Sequence, residues 1–156
     1  MEDFDSIGLV ELSSVARGYT VEDAMIKAAN VKIIMARTIC SGKFLVAVAG
    51  DSDAVSASLE SATRAGRGAI IEKRHITRVH NSIFPAIMGN VALDPDKADA
   101  LGIIETFSAS SIIDVADAAV KSANVTLFRV HLAMALGGKG VISTVANVAP
   151  KQTAQL

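Results

Sequence analysis

One cysteine, no tryptophan and three prolines in 156 residues remove several architectures before any motif is read. A lone Cys40 cannot close an internal disulfide, so no disulfide framework stabilises this fold. One thiol cannot hold a metal cluster by itself either; repeated around a symmetry axis, it can. Aromatic residues are only 4% of the chain, and small side chains (Ala, Val, Ser, Gly) dominate. That composition suits close packing of helices on a sheet and flat contacts between subunits. The charge is nearly balanced, net −1 with a pI near 6.3, which argues against a general nucleic-acid binder. No apolar run is long enough to span a bilayer. The start, Met1-Glu2-Asp3-Phe4-Asp5, lacks the basic-then-apolar layout of a signal peptide. These absences predict a soluble cytoplasmic protein with neither nucleic acid nor membrane as partner. Gly66-Arg67-Gly68 and Gly137-Gly138-Lys139 lack the phosphate-loop and dinucleotide patterns and read as turns. With no nucleophile–base–acid set either, the chain reads as something other than an enzyme.

What is present is a real core, since 51% of residues are apolar and 20% charged. The stretch that organises the chain is Thr38-Ile39-Cys40-Ser41-Gly42-Lys43-Phe44. It lies between two strand-like apolar runs, residues 31–39 and 44–49, and Ser-Gly-Lys is a turn composition in which Gly42 can take φ > 0. The spacing therefore puts the thiol at the tip of a β-hairpin. Before it come a short strand (7–12) and a helix (15–30) whose apolar face carries Val21, Ala24, Met25, Ala28 and Ala29. After it come N-cap residues at 50–53 and a helix to Ala65, ended by Gly66 and Gly68. A last strand (69–79) and a short segment with Pro85 (81–89) follow. Residues 90–100, polar with three aspartates and Pro95, are the linker.

Beyond the linker the beginning recurs. Gly8-Leu9-Val10-Glu11 reappears as Gly102-Ile103-Ile104-Glu105, and Ala29-Asn30-Val31 as Ala123-Asn124-Val125, at one constant spacing of 94 residues (Gly8 to Gly102). Asp23-Ala24 likewise matches Asp117-Ala118, and Lys27 matches Lys121. The spacing then grows by two, so that Ser41-Gly42-Lys43 faces Gly137-Gly138-Lys139 and Cys40 has no cysteine counterpart. Each full unit would be β-α-β-β-α-β, an α+β sandwich with a ferredoxin-like sheet. The predicted domains are residues 1–89 and 101–156, joined by 90–100, with the second supplying only its first four elements. Such a truncation would leave part of the second sheet uncovered and one strand edge unpaired.

Three histidines give no metal-site spacing. His75 and His80, five apart on one predicted strand, should face opposite ways and read with His131 as ordinary polar residues. Glu11 and Glu105 occupy matched positions and read as making the same structural bond twice.

The repeated segment Asp23-Ala24-Met25-Ile26-Lys27-Ala28-Ala29-Asn30-Val31, preceded by Ile7-Gly8-Leu9-Val10-Glu11, resembles the signature of bacterial microcompartment shell proteins. Two such domains in tandem resemble the trimeric, pseudohexameric type. The Cys40 loop and residues 124–131 are most similar to its propanediol-utilisation members. The resemblance implies a flat homotrimer that tiles with other shell proteins around encapsulated enzymes, with a central pore walled by Ser41, Gly42, Lys43, Gly137, Gly138 and Lys139. It also implies an iron–sulfur cluster, of the 4Fe–4S kind, shared by three Cys40 residues, one per trimer. It further implies that Lys27 and Lys121 help hexagons meet edge to edge. Two other readings stay open on the residues: a shell protein with an ordinary metabolite pore in which Cys40 is incidental, and a soluble regulator that binds a small effector.

Overall fold

A computed structural model describes residues 4–94 and 98–146. The first repeat comprises β1 (Ser6–Leu12), α1 (Val15–Ala28), β2 (Lys32–Ile39), β3 (Lys43–Gly50), α2 (Ser52–Ala65) and β4 (Ile70–Thr77). Its sheet has the order β2-β3-β1-β4 with every pair antiparallel, the ferredoxin-like arrangement expected from the sequence. The two central strands read as unbroken apolar runs because both of their faces are covered. Val10, Leu12, Phe44, Val46 and Val48 pack on α1 and α2 through Val21, Met25, Val55, Leu59 and Ala62. Ile7, Leu9, Leu45, Ala47 and Ala49, on the opposite face, belong to a second core. Ser14 caps α1 by accepting from the Arg17 backbone N–H at 3.3 Å.

The segment after β4 forms α3 (Ile83–Met88), closed by Gly89 in the left-handed region at φ 73°. All four apolar side chains it buries (Ile83, Phe84, Ala86 and Ile87) enter the second core alongside β1 and β3 and residues of the other repeat. This short element therefore joins the two halves. It packs against β6, which the sequence reading did not foresee.

The second repeat comprises β5 (Ala100–Thr106), α4 (Ser111–Ser122), β6 (Thr126–Leu132) and β7 (Gly140–Ala146). The order β5-β7-β6 reproduces β1-β3-β2. The copy extends to irregularities: β2 shifts register between Ile33 and Met35, and β6 at the matching Leu127 and Arg129. Residues 147–156, where the sequence predicts the second domain to fall short, lie outside the described residues. Among the described residues, β5 pairs with β7 on one side only. Leu101 and Ile103 are 62% and 63% exposed, whereas their counterparts Ile7 and Leu9 are 0% and 2% exposed.

One helix–strand contact is made in opposite senses by the two repeats. In the first, Gly18 of α1 lies so close to Phe44 of β3 that a Cβ on the glycine would stand 2.4 Å from the ring. In the second, the positions matching Gly18 and Phe44 are Ile112 and Gly140, and a Cβ on Gly140 would stand 2.4 Å from Ile112. The bulk has moved from strand to helix, and the glycine from helix to strand. Each pair fills the same gap with one large and one absent side chain, as close packing requires.

The halves also meet through polar contacts. The His80 backbone N–H donates to Asp117 Oδ1 at 2.8 Å, and Lys121 Nζ donates to the Arg78 carbonyl at 2.6 Å. Glu72 of β4 loses solvent by burial, which alone would raise its pKa. Its bond from the Ser110 side chain and the neighbouring Arg74 outweigh that and hold it below the ordinary carboxylate range. The reading of His75 and His80 on one strand is corrected here: β4 ends at Thr77, and His80 lies in the following turn, with Nδ1 2.8 Å from the Ser82 hydroxyl.

Candidate functional site

Cys40, Ser41 and Gly42 make a single tight turn between β2 and β3. Gly42 has the positive φ expected of it, 70°, but Ser41 is left-handed as well at φ 64°. A side chain in that region costs on the order of 1 kcal/mol, so the turn holds Ser41 against a local preference. The matching connection between β6 and β7, residues 133–139, is longer than the turn at 40–42, in part through the two residues the repeat spacing gained. It turns through four left-handed residues, Ala133, Ala135, Gly137 and Gly138. It closes on itself through Ala133 N–H to Lys139 O at 3.1 Å and Lys139 N–H to Leu136 O at 3.2 Å.

The fold brings these two loops together within one chain. The Cys40 thiol faces the backbone N–H groups of the second loop. Gly137 contributes most, partial desolvation opposes it, and Leu136, Ala135 and Gly138 add to the effect of Gly137. Their sum holds the thiol below its ordinary range, so a larger share is thiolate at neutral pH. Thiolate is the form that acts as nucleophile or metal ligand. Cys40 is partly exposed, so this donor is reachable. The resemblance implied that both loops wall one pore, but the sequence did not reveal that the Cys40 thiol meets the second loop of its own chain, because the two segments are matched copies rather than neighbours in the chain.

The two lysines of these loops are ion-paired. Lys43 Nζ lies 2.7 Å from Glu11 Oε1, and Lys139 Nζ contacts Glu105 Oε1 in the same way. The matched glutamates thus make the same bond twice, as their positions suggested. The settings differ. Glu11 is nearly buried, whereas Glu105 and Lys139 are both well exposed, with Phe107 lying beside the Lys139 ammonium. Lys43→Met should therefore cost roughly 1–3 kcal/mol by stranding a largely desolvated carboxylate. Lys139→Met should cost less than about 1 kcal/mol, because solvent screens that pair. Urea midpoints of the two variants check this; equal losses would contradict the difference in setting.

Lys27 and Lys121, equivalent by sequence, are also set differently. Lys27 is 72% exposed and, among the described residues, pairs only with Asp23, one turn away on α1, at 2.7 Å. Lys121 makes the matching pair with Asp117 but is 44% exposed, because it also reaches the Arg78 carbonyl. Among the described residues no group of three His, Cys, Asp or Glu could hold a metal ion within one chain, and no helix is long and apolar enough to cross a membrane. A cleft between β2 and β6, lined by Arg37, Arg129 and His131, was missed from the sequence. Its signal was there in the repeat: Arg37 and His131 are matched positions, as are Met35 and Arg129.

Comparison with known proteins agrees with the duplicated architecture. Residues 6–79 and 100–150 match the BMC domain family. The bacterial microcompartment shell protein PduT of Citrobacter freundii is 42% identical over 134 residues, 86% of this chain and 72% of that protein. PduA of the same organism, also a bacterial microcompartment shell protein, is 32% identical over 81 residues, 51% of this chain and 87% of PduA. The crystal structure of a microcompartment protein from Desulfitobacterium hafniense superposes with a TM-score of 0.88 at 38% identity, covering 94% of this chain and 81% of that one. With two BMC domains in tandem, the chain belongs to the shell proteins of bacterial microcompartments.

Proposed function

We propose that the chain is a non-catalytic facet component of the shell in which three copies meet about a three-fold axis. In this reading the turn at Cys40–Gly42 with Lys43, and the loop carrying Gly137, Gly138 and Lys139, wall a central pore. Three Cys40 thiolates hold one iron–sulfur cluster there, for electron transfer across the shell or delivery of the cluster to enclosed enzymes. The supporting observation is the placement of the chain's one thiol at the apex of a strand connection, against the backbone N–H groups of residues 135–138.

The donor chemistry fits such a group. A 4Fe–4S cluster usually takes four thiolates; three from a trimer leave one iron for a non-protein ligand. The donors have to come from several chains, since one chain offers a single thiol. Backbone N–H groups beside the thiolates are the kind of outer partner that stabilises sulfur-borne negative charge. When bound, the cluster supplies one-electron chemistry. The chain's own residues hold the thiolate form and fix its position. Lys27, exposed on α1, is proposed as the contact with neighbouring shell hexagons.

Native mass spectrometry on protein prepared without oxygen tests the reading, wild type beside Cys40→Ser. A trimer carrying one cluster mass increment, lost in the variant, is the expected result. Bare trimers in both samples would discard the cluster and leave a metabolite pore. A monomer in both would overturn the assembly itself.

A further inference from the structure

The cleft between β2 and β6 does not include Cys40 in its wall, and the side chains of Arg37 and Arg129 take no part in the ion pairs described for the loops. It encloses about 170 Å³ and is lined by Met35, Arg37, Met88, Arg129, His131 and Met134 among others, with no carboxylate in its wall. Residues 35 and 37 share a face of β2, and 129 and 131 share a face of β6, because side chains alternate along a strand. The matching register shifts just before both pairs are the kind of irregularity that re-aims side chains on an edge strand.

Two observations make this cleft more than a basic patch. Arg37 Nε is buried and is the one buried side-chain nitrogen or oxygen without a hydrogen-bond partner among the described residues. Arg129 has no ion-pair partner among the described residues either. A buried guanidinium N–H without an acceptor is unfavourable, and the planar fork of arginine is matched by oxyanions that accept two parallel bonds. His131 adds a third nitrogenous group. Its Nε2 lies 2.7 Å from the Met134 carbonyl, which can only accept, so Nε2 carries the proton and the ring is fixed in the wall.

We propose that this cleft binds a phosphate group, held by Arg37 and Arg129. Two fixed positive charges and no carboxylate suit a dianion better than a singly charged carboxylate. Arg129, His131 and Met134 also line an adjoining cleft of about 280 Å³ with Leu136 and Ser143. That second space, largely apolar at its methionine and leucine, takes the organic part of a phosphate monoester. The occupant belongs to the chemistry of small phosphorylated metabolites, and its two arginines are separate from the Cys40 thiol.

The test is isothermal titration of the purified full chain with inorganic phosphate at constant ionic strength in chloride, beside acetate as the carboxylate control. Saturable phosphate binding, with acetate failing to compete, is the expected result. Arg37→Gln and Arg129→Gln should each weaken it about tenfold, the worth of one charge-assisted bond. Arg129 is exposed, so its variant keeps the test valid if Arg37→Gln disturbs the fold, which circular dichroism reports. No saturable binding by the wild type overturns the proposal. So does undiminished binding in Arg129→Gln, and so does equal affinity for acetate.

Discussion

Gly18→Ile is expected to lose about 3 kcal/mol or more of stability, and the double variant with Phe44→Gly to lose less than the two single losses added together. The single change forces a branched side chain into space where even a methyl group would stand 2.4 Å from a fully buried ring. Overpacking of a dense core usually costs about 1–3 kcal/mol, and this contact lies at the upper end because the ring has no free side to move toward. Phe44→Gly alone should cost at least as much as a buried Phe→Ala, about 3–5 kcal/mol, through the cavity it leaves. Against a total stability of about 5–15 kcal/mol, either single variant approaches unfolding. The double variant recreates in the first repeat the arrangement the second already uses, Ile112 over Gly140. The two changes should therefore couple favourably by about 2 kcal/mol, as contacting core residues do. Urea denaturation of the four proteins in the cycle measures this. Strict additivity would mean that the helix–strand spacings of the two repeats are not interchangeable.

The second large effect separates Lys27 from Lys121. Lys27→Asp should abolish edge-to-edge assembly with other shell proteins, seen as loss of sheets by electron microscopy, while changing the melting temperature little. Its side chain is exposed, and its pair with Asp23 lies on the helix surface, where such pairs contribute about 0.3–0.5 kcal/mol. Lys121→Asp should do the reverse. It removes the bond to the Arg78 carbonyl and sets a second carboxylate beside Asp117, which already accepts from the His80 backbone. A destabilisation of about 2–3 kcal/mol is expected, since a charged donor bond between the halves is lost and repulsion replaces it. Intact sheets from Lys27→Asp would remove this residue from the proposed interface.

Much of the fold was legible in the residues because both central strands of the first sheet are covered on two faces. Ile7 to Leu12 and Phe44 to Ala49 could not be read as anything but buried strands once bounded by polar turns. The duplication carried that reading into the second repeat, and with it the expectation that Glu11 and Glu105 make the same bond twice; their partners, Lys43 and Lys139, came only with the structure. What escaped were contacts between the copies. Alignment sets Cys40 opposite the second loop as its equivalent, yet the chain folds so that the two loops touch. Likewise Lys27 and Lys121 look alike in sequence and differ only because the turn after β4 docks on α4. α3 read as a terminal scrap, since six residues carry too little periodicity to reveal which two surfaces they join. Arg37 was not singled out in the sequence. Its buried, unpartnered Nε becomes visible only when β6 is brought alongside.

The exchange of bulk between Gly18–Phe44 and Ile112–Gly140 bears on how a duplicated chain reaches its native state. Two copies of one pattern, tethered in a single polypeptide, invite each helix to dock on the wrong sheet as the chain collapses, a characteristic failure of repeat proteins. Here the errors are not silent. α4 on the first sheet would drive Ile112 into Phe44, and α1 on the second would set Gly18 over Gly140 and leave a void. Both crossed products lose the packing that either correct one makes, so discrimination comes from what the wrong partner cannot fit. Local shape thus gives each half an address of its own, although the backbones are copies.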